Sequence, residues 1–284
     1  MRRLGLLLDM IKFEHTVFAL PFALLALFLA SEGMPSLYTF GWVLVAMVGA
    51  RSTAMTMNRI ADRHIDAQNP RTRERHLPAG RIGLGAAWTL ALVSAAVFVV
   101  AAWRLNRLAF VLSPVALAVV WSYSWTKRFT WASHLWLGLS LALAPLGAWI
   151  AVRGRLDGLP LLLGLGVLFW VAGFDTIYAC QDVDTDRRQG LYSLPARLGP
   201  RRALVVARVF HGLMLGVFTL IGIAFGFGWL YAIGLVCTGV LVIVQHALVR
   251  ASDLRHIEVA FFNVNSIVGV VLMAFTLADR FLLR

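Results

Sequence analysis

The sequence predicts an all-α integral membrane protein with nine transmembrane helices and a cytoplasmic N-terminus. Three observations carry that prediction. Of 284 residues, 60% are apolar and only 14% charged, against roughly 45–50% and about 25% in an ordinary soluble domain. The mean hydropathy is +0.78, and the apolar residues gather in runs of about the 20 that a helix needs to cross a bilayer core. The net charge of +12 comes from 26 Lys and Arg against 14 Asp and Glu, with the basic residues placed on short connections between apolar runs. That pattern argues against a nucleic-acid-binding module, a secreted disulfide scaffold and a disordered tail. Cys180 and Cys237 lie in separate apolar segments and offer no disulfide framework or metal-ligand spacing.

The nine stretches fall at about 15–31, 38–57, 85–103, 108–124, 134–152, 159–180, 203–223, 226–249 and 259–279. Arg2 and Arg3 ahead of the first resemble the start of a signal peptide. However, Lys12, Glu14 and His15 interrupt the approach and no small-x-small cleavage site follows, so the helix reads as retained. With the N-terminus inside, the cytoplasmic connections hold 18 Lys and Arg and the outer ones six, which sets the topology. Connections are short except for about 58–84 and 181–202, both on the cytoplasmic side. No linker rich in Pro, Gly or Ser divides the chain, so residues 1–284 read as one polytopic domain. Each long loop also carries a Leu-Pro-Ala triplet (77–79 and 194–196), a faint echo of two halves.

Six of the 14 acids lie in two windows, 58–66 and 175–186. The first window is Asn58-x3-Asp62-x3-Asp66 and the second contains Asp182-x3-Asp186-x3-Gly190, each at the cytoplasmic end of an expected helix. Spacing of four stacks these oxygens on one helical face. Like charges so placed repel, and two such clusters make sense if a cation bridges them. Mg²⁺ takes hard carboxylate oxygens and completes its shell with waters and substrate phosphates. Arg-rich loops around the acids suit the same partner, because guanidinium forks grip phosphate. The constellation points to a diphosphate held by Mg²⁺ at the cytoplasmic membrane face. Solvated helix ends that merely help set topology are the alternative for any single pair.

The sequence resembles the UbiA-type membrane prenyltransferases. The resemblance rests on Asn58-x3-Asp62-x3-Asp66 with Arg71-Thr72 and Arg75-x-Leu77-Pro78-x-Gly80, and on Asp175-Thr176-x-Tyr178-Ala179 with Asp182-x3-Asp186-x3-Gly190. A third match is Tyr123-Ser124-Trp125-Thr126-Lys127-Arg128-Phe129-Thr130. It implies a helical bundle around a central cavity in a bacterial inner membrane, with the prenyl tail in an apolar tunnel open to lipid. The implied reaction joins a polyprenyl diphosphate to an aromatic acid, in the synthesis of a respiratory quinone such as ubiquinone or menaquinone. Asn58, Asp62, Asp66, Asp182 and Asp186 then become the Mg²⁺ ligands. Asn58, Arg71, Arg75, Tyr123, Lys127 and Arg128 become the diphosphate site.

An ionisable residue at membrane depth marks function by default, so Asp175, with Tyr178, is assigned to positioning or deprotonating the acceptor phenol; a structural hydrogen bond is the alternative. Arg51, two turns deeper than Asn58, would bind the acceptor carboxylate or the diphosphate, or else pair with Asp175. His64, on the other side of its helix, reads as solvated. The 4-hydroxybenzoate enzymes have Asn-Asp and Pro-Leu-Pro-Ser-Gly where this chain has Asn58-Arg59 and His76-Leu77-Pro78-Ala79-Gly80. These departures leave the diphosphate ligands untouched and bear on the acceptor, either 4-hydroxybenzoate or the 1,4-dihydroxy-6-naphthoate of a sister branch. No D-G-x2-A-R precedes either acid cluster, which argues against a CDP-alcohol phosphotransferase. Acids at helix ends beside Arg-rich loops argue against a cation transporter.

Overall fold

Long apolar runs leave the backbone nowhere to hydrogen-bond but to itself, and this chain answers with helices. A computed structural model describes residues 2–11 and 18–283. Its helices are α1 (Arg2–Met10), α2 (Leu20–Ser31), α3 (Leu37–Gln68), α4 (Leu84–Leu105), α5 (Arg107–Thr126) and α6 (Ser133–Arg153). They are followed by α7 (Gly158–Tyr178), α8 (Val183–Arg188), α9 (Leu194–Leu198), α10 (Pro200–Ala224), α11 (Trp229–Leu248) and α12 (Asn265–Leu282). A 3₁₀ turn, Ala179–Asp182, joins α7 to α8, and a π-helical turn, Val259–Val264, leads into α12. Among the described residues no β-strand forms, only an isolated bridge between Arg250 and Asp253.

Eight helical runs among the described residues are long and apolar enough to cross a membrane, as an integral membrane protein requires. The expected count of nine is therefore not met. The first expected segment appears as α2, whose 12 residues rise about 18 Å, short of the ~30 Å hydrocarbon core. Residues 12–17, with Lys12, Glu14 and His15, lie outside the described residues. The second expected segment is longer than composition indicates. Helix α3 runs for 32 residues, about 48 Å, so its last three turns project beyond the apolar stretch and carry Asn58, Asp62 and Asp66. The first motif is thus helix, not loop. Part of the second long loop is helical too, as α8 and α9.

Helix α3 packs on α4 and α5, α5 on α6, α6 on α7, α7 on α10, α10 on α11 and α11 on α12. Helix α2 closes the circuit by touching α12, α6 and α7. Two close approaches depend on glycine. A Cβ at Gly49 would lie 2.9 Å from both the Phe98 nitrogen and the Ser94 oxygen on α4. A Cβ on Gly138 of α6 would collide with the Leu168 carbonyl on α7. The core is aromatic: Trp170 is fully buried, with ring centroids 5.0 Å from both Phe22 and Phe174. Its indole N–H is satisfied by Asn265 Oδ1 at 3.0 Å. The outer faces expose Val111, Ile223, Val236 and Ile243, as helices surrounded by lipid do, because lipid tails solvate such side chains as well as a core would.

Candidate active site

The acids of α3 turn inward where the helix leaves the apolar stretch. Asp62 is 3% exposed and Asp66 4%, a depth at which a carboxylate needs a partner. Asp62 receives three donors: Lys127 Nζ at 2.6 Å, Asn58 Nδ2 at 3.2 Å and Arg128 Nη2 at 3.3 Å. Arg128 also donates to the carbonyls of Ala61 and Ser124, both at 2.7 Å, which fixes the end of α5 against α3. Both oxygens of Asp66 accept from Arg75 Nη1, at 2.8 and 2.9 Å.

The second motif faces the first. Asp182 accepts from Arg71 through Nη2 at 2.5 Å and Nε at 3.1 Å, and from Asn69 Nδ2 at 2.8 Å. Arg71 Nη1 donates to the Tyr178 hydroxyl at 3.0 Å, and the Tyr178 ring lies 4.2 Å from that of Phe261. Gln189 Nε2 adds a bond to the Ile65 carbonyl at 3.2 Å. Asp182 stands at the N-cap of α8, one turn before Asp186, and the two carboxylates lie close enough to repel each other. The 3₁₀ turn breaks the helical phase between Tyr178 and α8, and Asp186 accepts from Ser193 Oγ at 2.8 Å. Burial works against the Arg71 cation, but its hydrogen bond with Asp182 and the negative charge around it prevail and hold its pKa above the ordinary value.

An apolar cavity of about 330 Å³ opens alongside α3, α4, α5 and α6. Ala46, Ala50 and Ala54 line it along one stripe of α3, and Arg51 supplies its charged lining group. Seven residues of helix put Arg51 about 10 Å from Asn58 along the axis. Tyr123 lines this cavity as well, so the structure places it with the apolar wall, one turn from Lys127. Asp175 accepts or shares a proton with His134 Nδ1 at 2.7 Å. Arg59, the departure from the first motif, is buried and donates to the Met10 carbonyl at 3.1 Å. His64 is exposed and bonded to Arg63 Nε, as its position on the helix predicts.

The metal assignment receives a qualified picture. Among the described residues, no three carboxylate, imidazole or thiol groups converge on one point; Asp62, Asp66 and Asp182 are matched to cations instead, and Asp186 to Ser193. The donor chemistry still suits Mg²⁺, since Asp62, Asp66, Asp182 and Asp186 offer only hard oxygens. Bonds 69–182, 71–182 and 65–189 hold the two acidic segments face to face. Arg and Lys side chains are long enough to swing from carboxylate to phosphate, so the pairs can open. Sequence reasoning missed Asn69, His134 and Ser193. Asn69 follows Asp66 by three residues and caps α3, a signal that was readable. His134 begins α6 just after the Lys127 loop, but nothing local ties it to Asp175, 41 residues on.

Comparison with known proteins places this architecture. The profile of the UbiA prenyltransferase family matches residues 19–267. The chain is 31% identical over 254 residues to a 4-hydroxybenzoate octaprenyltransferase of Citrobacter koseri, spanning 87% of this chain and 85% of that protein. A 4-hydroxybenzoate octaprenyltransferase of Salmonella paratyphi B is 32% identical over 87% and 84%. Among solved structures, a UbiA homolog from Aeropyrum pernix K1 is 35% identical with a TM-score of 0.85, over 94% of this chain and 98% of that one. A UbiA homolog from Archaeoglobus fulgidus bound to DMAPP and Mg²⁺ shares the fold at 18% identity and a TM-score of 0.75, over 96% and 98%. With the family profile covering most of the chain and relatives above 30% identity along most of their length, the chain belongs to the UbiA prenyltransferase family.

Proposed function

We propose that this protein transfers the isoprenyl chain of a polyprenyl diphosphate to a ring carbon of a hydroxybenzoate-type aromatic acid, with Mg²⁺ as cofactor. The observation that carries the proposal is a sequence of environments along α3: an apolar cavity, then Arg51, then a cluster of acids and bases facing a second acidic segment. A diphosphate with a hydrocarbon tail matches that order. The relatives named 4-hydroxybenzoate octaprenyltransferase and the Archaeoglobus fulgidus homolog bound to DMAPP and Mg²⁺ support the substrate class and the metal. 1,4-Dihydroxy-6-naphthoate is the second acceptor reading, favoured by the departures at Arg59 and at 76–80.

Mg²⁺, held by Asn58, Asp62, Asp66, Asp182 and Asp186, would supply positive charge to the leaving diphosphate. Lys127, Arg128, Arg71 and Arg75 turn from the carboxylates toward the phosphate oxygens. There they stabilise the charge that develops as the allylic C–O bond breaks and its electron pair leaves with diphosphate. The cavity walls keep water from the allylic cation. Arg51 grips the acceptor's carboxylate and Asp175 orients its hydroxyl, taking the phenol proton. The ring carbon forms the new C–C bond, the ring proton passes to the departing diphosphate to restore aromaticity, and Asp175 returns its proton to the phenol oxygen. The motif end faces the cytoplasm of a bacterial inner membrane, a reading supported by the 18-to-6 distribution of Lys and Arg.

The test is direct. Membranes containing the protein are incubated with Mg²⁺, a radiolabelled polyprenyl diphosphate and either acceptor. A prenylated aromatic that disappears with EDTA is the expected result; no product with either acceptor, or product that survives EDTA, overturns the proposal. Asp62→Ala and Asp186→Ala are expected to abolish turnover while the protein is still made, and Arg51→Met to raise the acceptor KM selectively.

A further inference from the structure

Four consecutive residues after the second motif fasten to three residues of the site, Asp186, Lys127 and His134. The Leu191 N–H donates to the Asp186 carbonyl at 2.8 Å, and the Tyr192 N–H to the Lys127 carbonyl at 2.7 Å. Ser193 Oγ donates to the Asp186 carboxylate at 2.8 Å. The Leu194 N–H donates to His134 Nε2 at 3.3 Å. The last bond decides the state of the imidazole. A nitrogen that accepts from a backbone N–H has no proton of its own, so the ring proton of His134 sits on Nδ1 and points at Asp175 Oδ2, 2.7 Å away.

His134 is 3% exposed, whereas the Asp175 side chain is 24% exposed. The imidazole therefore sits on the buried side of a partly exposed carboxylate and engages its Oδ2. We propose that His134 is a positioning residue for Asp175, itself held in register by a strap, Leu191–Leu194, that also fixes Asp186 and the Lys127 backbone. The strap makes one rigid unit of the diphosphate side and the acceptor side of the site. This inference rests on the reading of Asp175 as the group that handles the acceptor hydroxyl.

Two near-isosteres separate positioning from packing. The amide of Asn reaches the place of Nδ1 and can donate to Asp175, but stops short of Leu194. The amide of Gln reaches the place of Nε2 and can accept from Leu194, but puts no donor where Nδ1 stood. His134→Asn is expected to keep kcat near that of the parent. His134→Gln is expected to lose about tenfold or more in kcat, with KM for geranyl diphosphate unchanged. Equal losses in both variants, or no loss in His134→Gln, overturn the inference. Asp175→Asn completes the set. If it loses turnover while His134→Gln keeps it, this inference fails and the reading of Asp175 stands; if it keeps full turnover, both fail. A measurement without substrate guards against variants that do not fold. In ¹⁵N-histidine spectra of the unmutated full-length protein, His134 is expected as the Nδ1–H tautomer, shifting in Asp175→Asn; an Nε2–H tautomer overturns the proposal.

Discussion

Lys127, at the end of α5, places its ammonium 2.6 Å from the Asp62 carboxylate on α3. The pair joins residues 65 apart in sequence and compensates a carboxylate that is 3% exposed. Stability and turnover meet in this one contact, and they can be pulled apart.

Lys127→Met leaves Asp62 with Arg128 at 3.3 Å as its cationic partner. The expected cost is about 1–3 kcal/mol of stability, for a buried charge less well satisfied, together with a fall of about 10²–10³-fold in turnover. Adding Asp62→Asn removes the exposed liability. The double variant is expected to regain most of the melting temperature and none of the activity, a non-additivity that thermal unfolding in detergent and product formation would read separately.

Arg71 uses all three guanidinium nitrogens, two on Asp182 and one on the Tyr178 hydroxyl. A lysine carries one nitrogen and cannot reproduce the fork. Arg71→Lys, which keeps the charge, is expected to lower kcat/KM by about tenfold, corresponding to roughly 1.4 kcal/mol of transition-state stabilisation. Tyr178→Phe removes only the hydroxyl and is expected to cost less. Steady-state kinetics with varied prenyl diphosphate would rank the two.

Ala46, Ala50 and Ala54 line the cavity at successive turns of α3, with Ala54 nearest the acids. Phenylalanine at each position is expected to act as a plug at a different depth. Ala46→Phe should lose long polyprenyl donors while retaining a short one such as geranyl diphosphate. Ala54→Phe should lose both. Donor competition analysed by product chain length distinguishes this graded outcome from a uniform loss, which would remove the cavity as the tail site.

Metal dependence is expected to be saturable and specific to hard cations. Chelation should stop product formation, and added Mg²⁺ should restore it. Asp182→Asn should raise the Mg²⁺ concentration needed for half-maximal turnover. An unchanged requirement would exclude Asp182 as a ligand.

Helix α6 approaches α7 at Gly138, where any Cβ would meet the Leu168 carbonyl. Backbone cannot retreat as a side chain can, so Gly138→Ala is expected to destabilise the bundle by about 1–3 kcal/mol. Gly147, on the same helix with nothing near its missing Cβ, serves as the control and should tolerate alanine. Thermal unfolding of the two variants makes the comparison.

Helix number and class were legible because apolar runs state their own length, and eight of the nine expected runs correspond to crossing helices. The first run misled because composition does not mark where a helix begins: Pro21 opens α2 at its N-terminal turn, leaving it short. Hydropathy also could not show that α3 continues past its apolar part, since Asn58, Asp62 and Asp66 are weak helix formers held by partners across the site. The acids themselves were plain from their spacing. What spacing hid was their partners. Lys127, Arg71 and Arg75 were visible as basic loop residues, but their one-to-one matching with Asp62, Asp182 and Asp66 depends on packing. The 3₁₀ turn at Ala179–Asp182, which shifts the helical phase between Tyr178 and Asp182, left no mark in the spacing either.

The pairing of Asp62 and Asp182 with bases far away in the chain has a consequence for biogenesis. Asp62 leaves the ribosome well before Lys127, and Arg71 long before Asp182, 111 residues downstream. Until those later segments arrive, Asp62 and Arg71 lack the charged partners they have in the fold. The first half of the chain can neutralise Asp62 and Asp66 once α5 is in place, because Arg75 is local and Lys127 follows α5. Arg71 stays unmatched until α7 has been inserted and turned its far end toward α3.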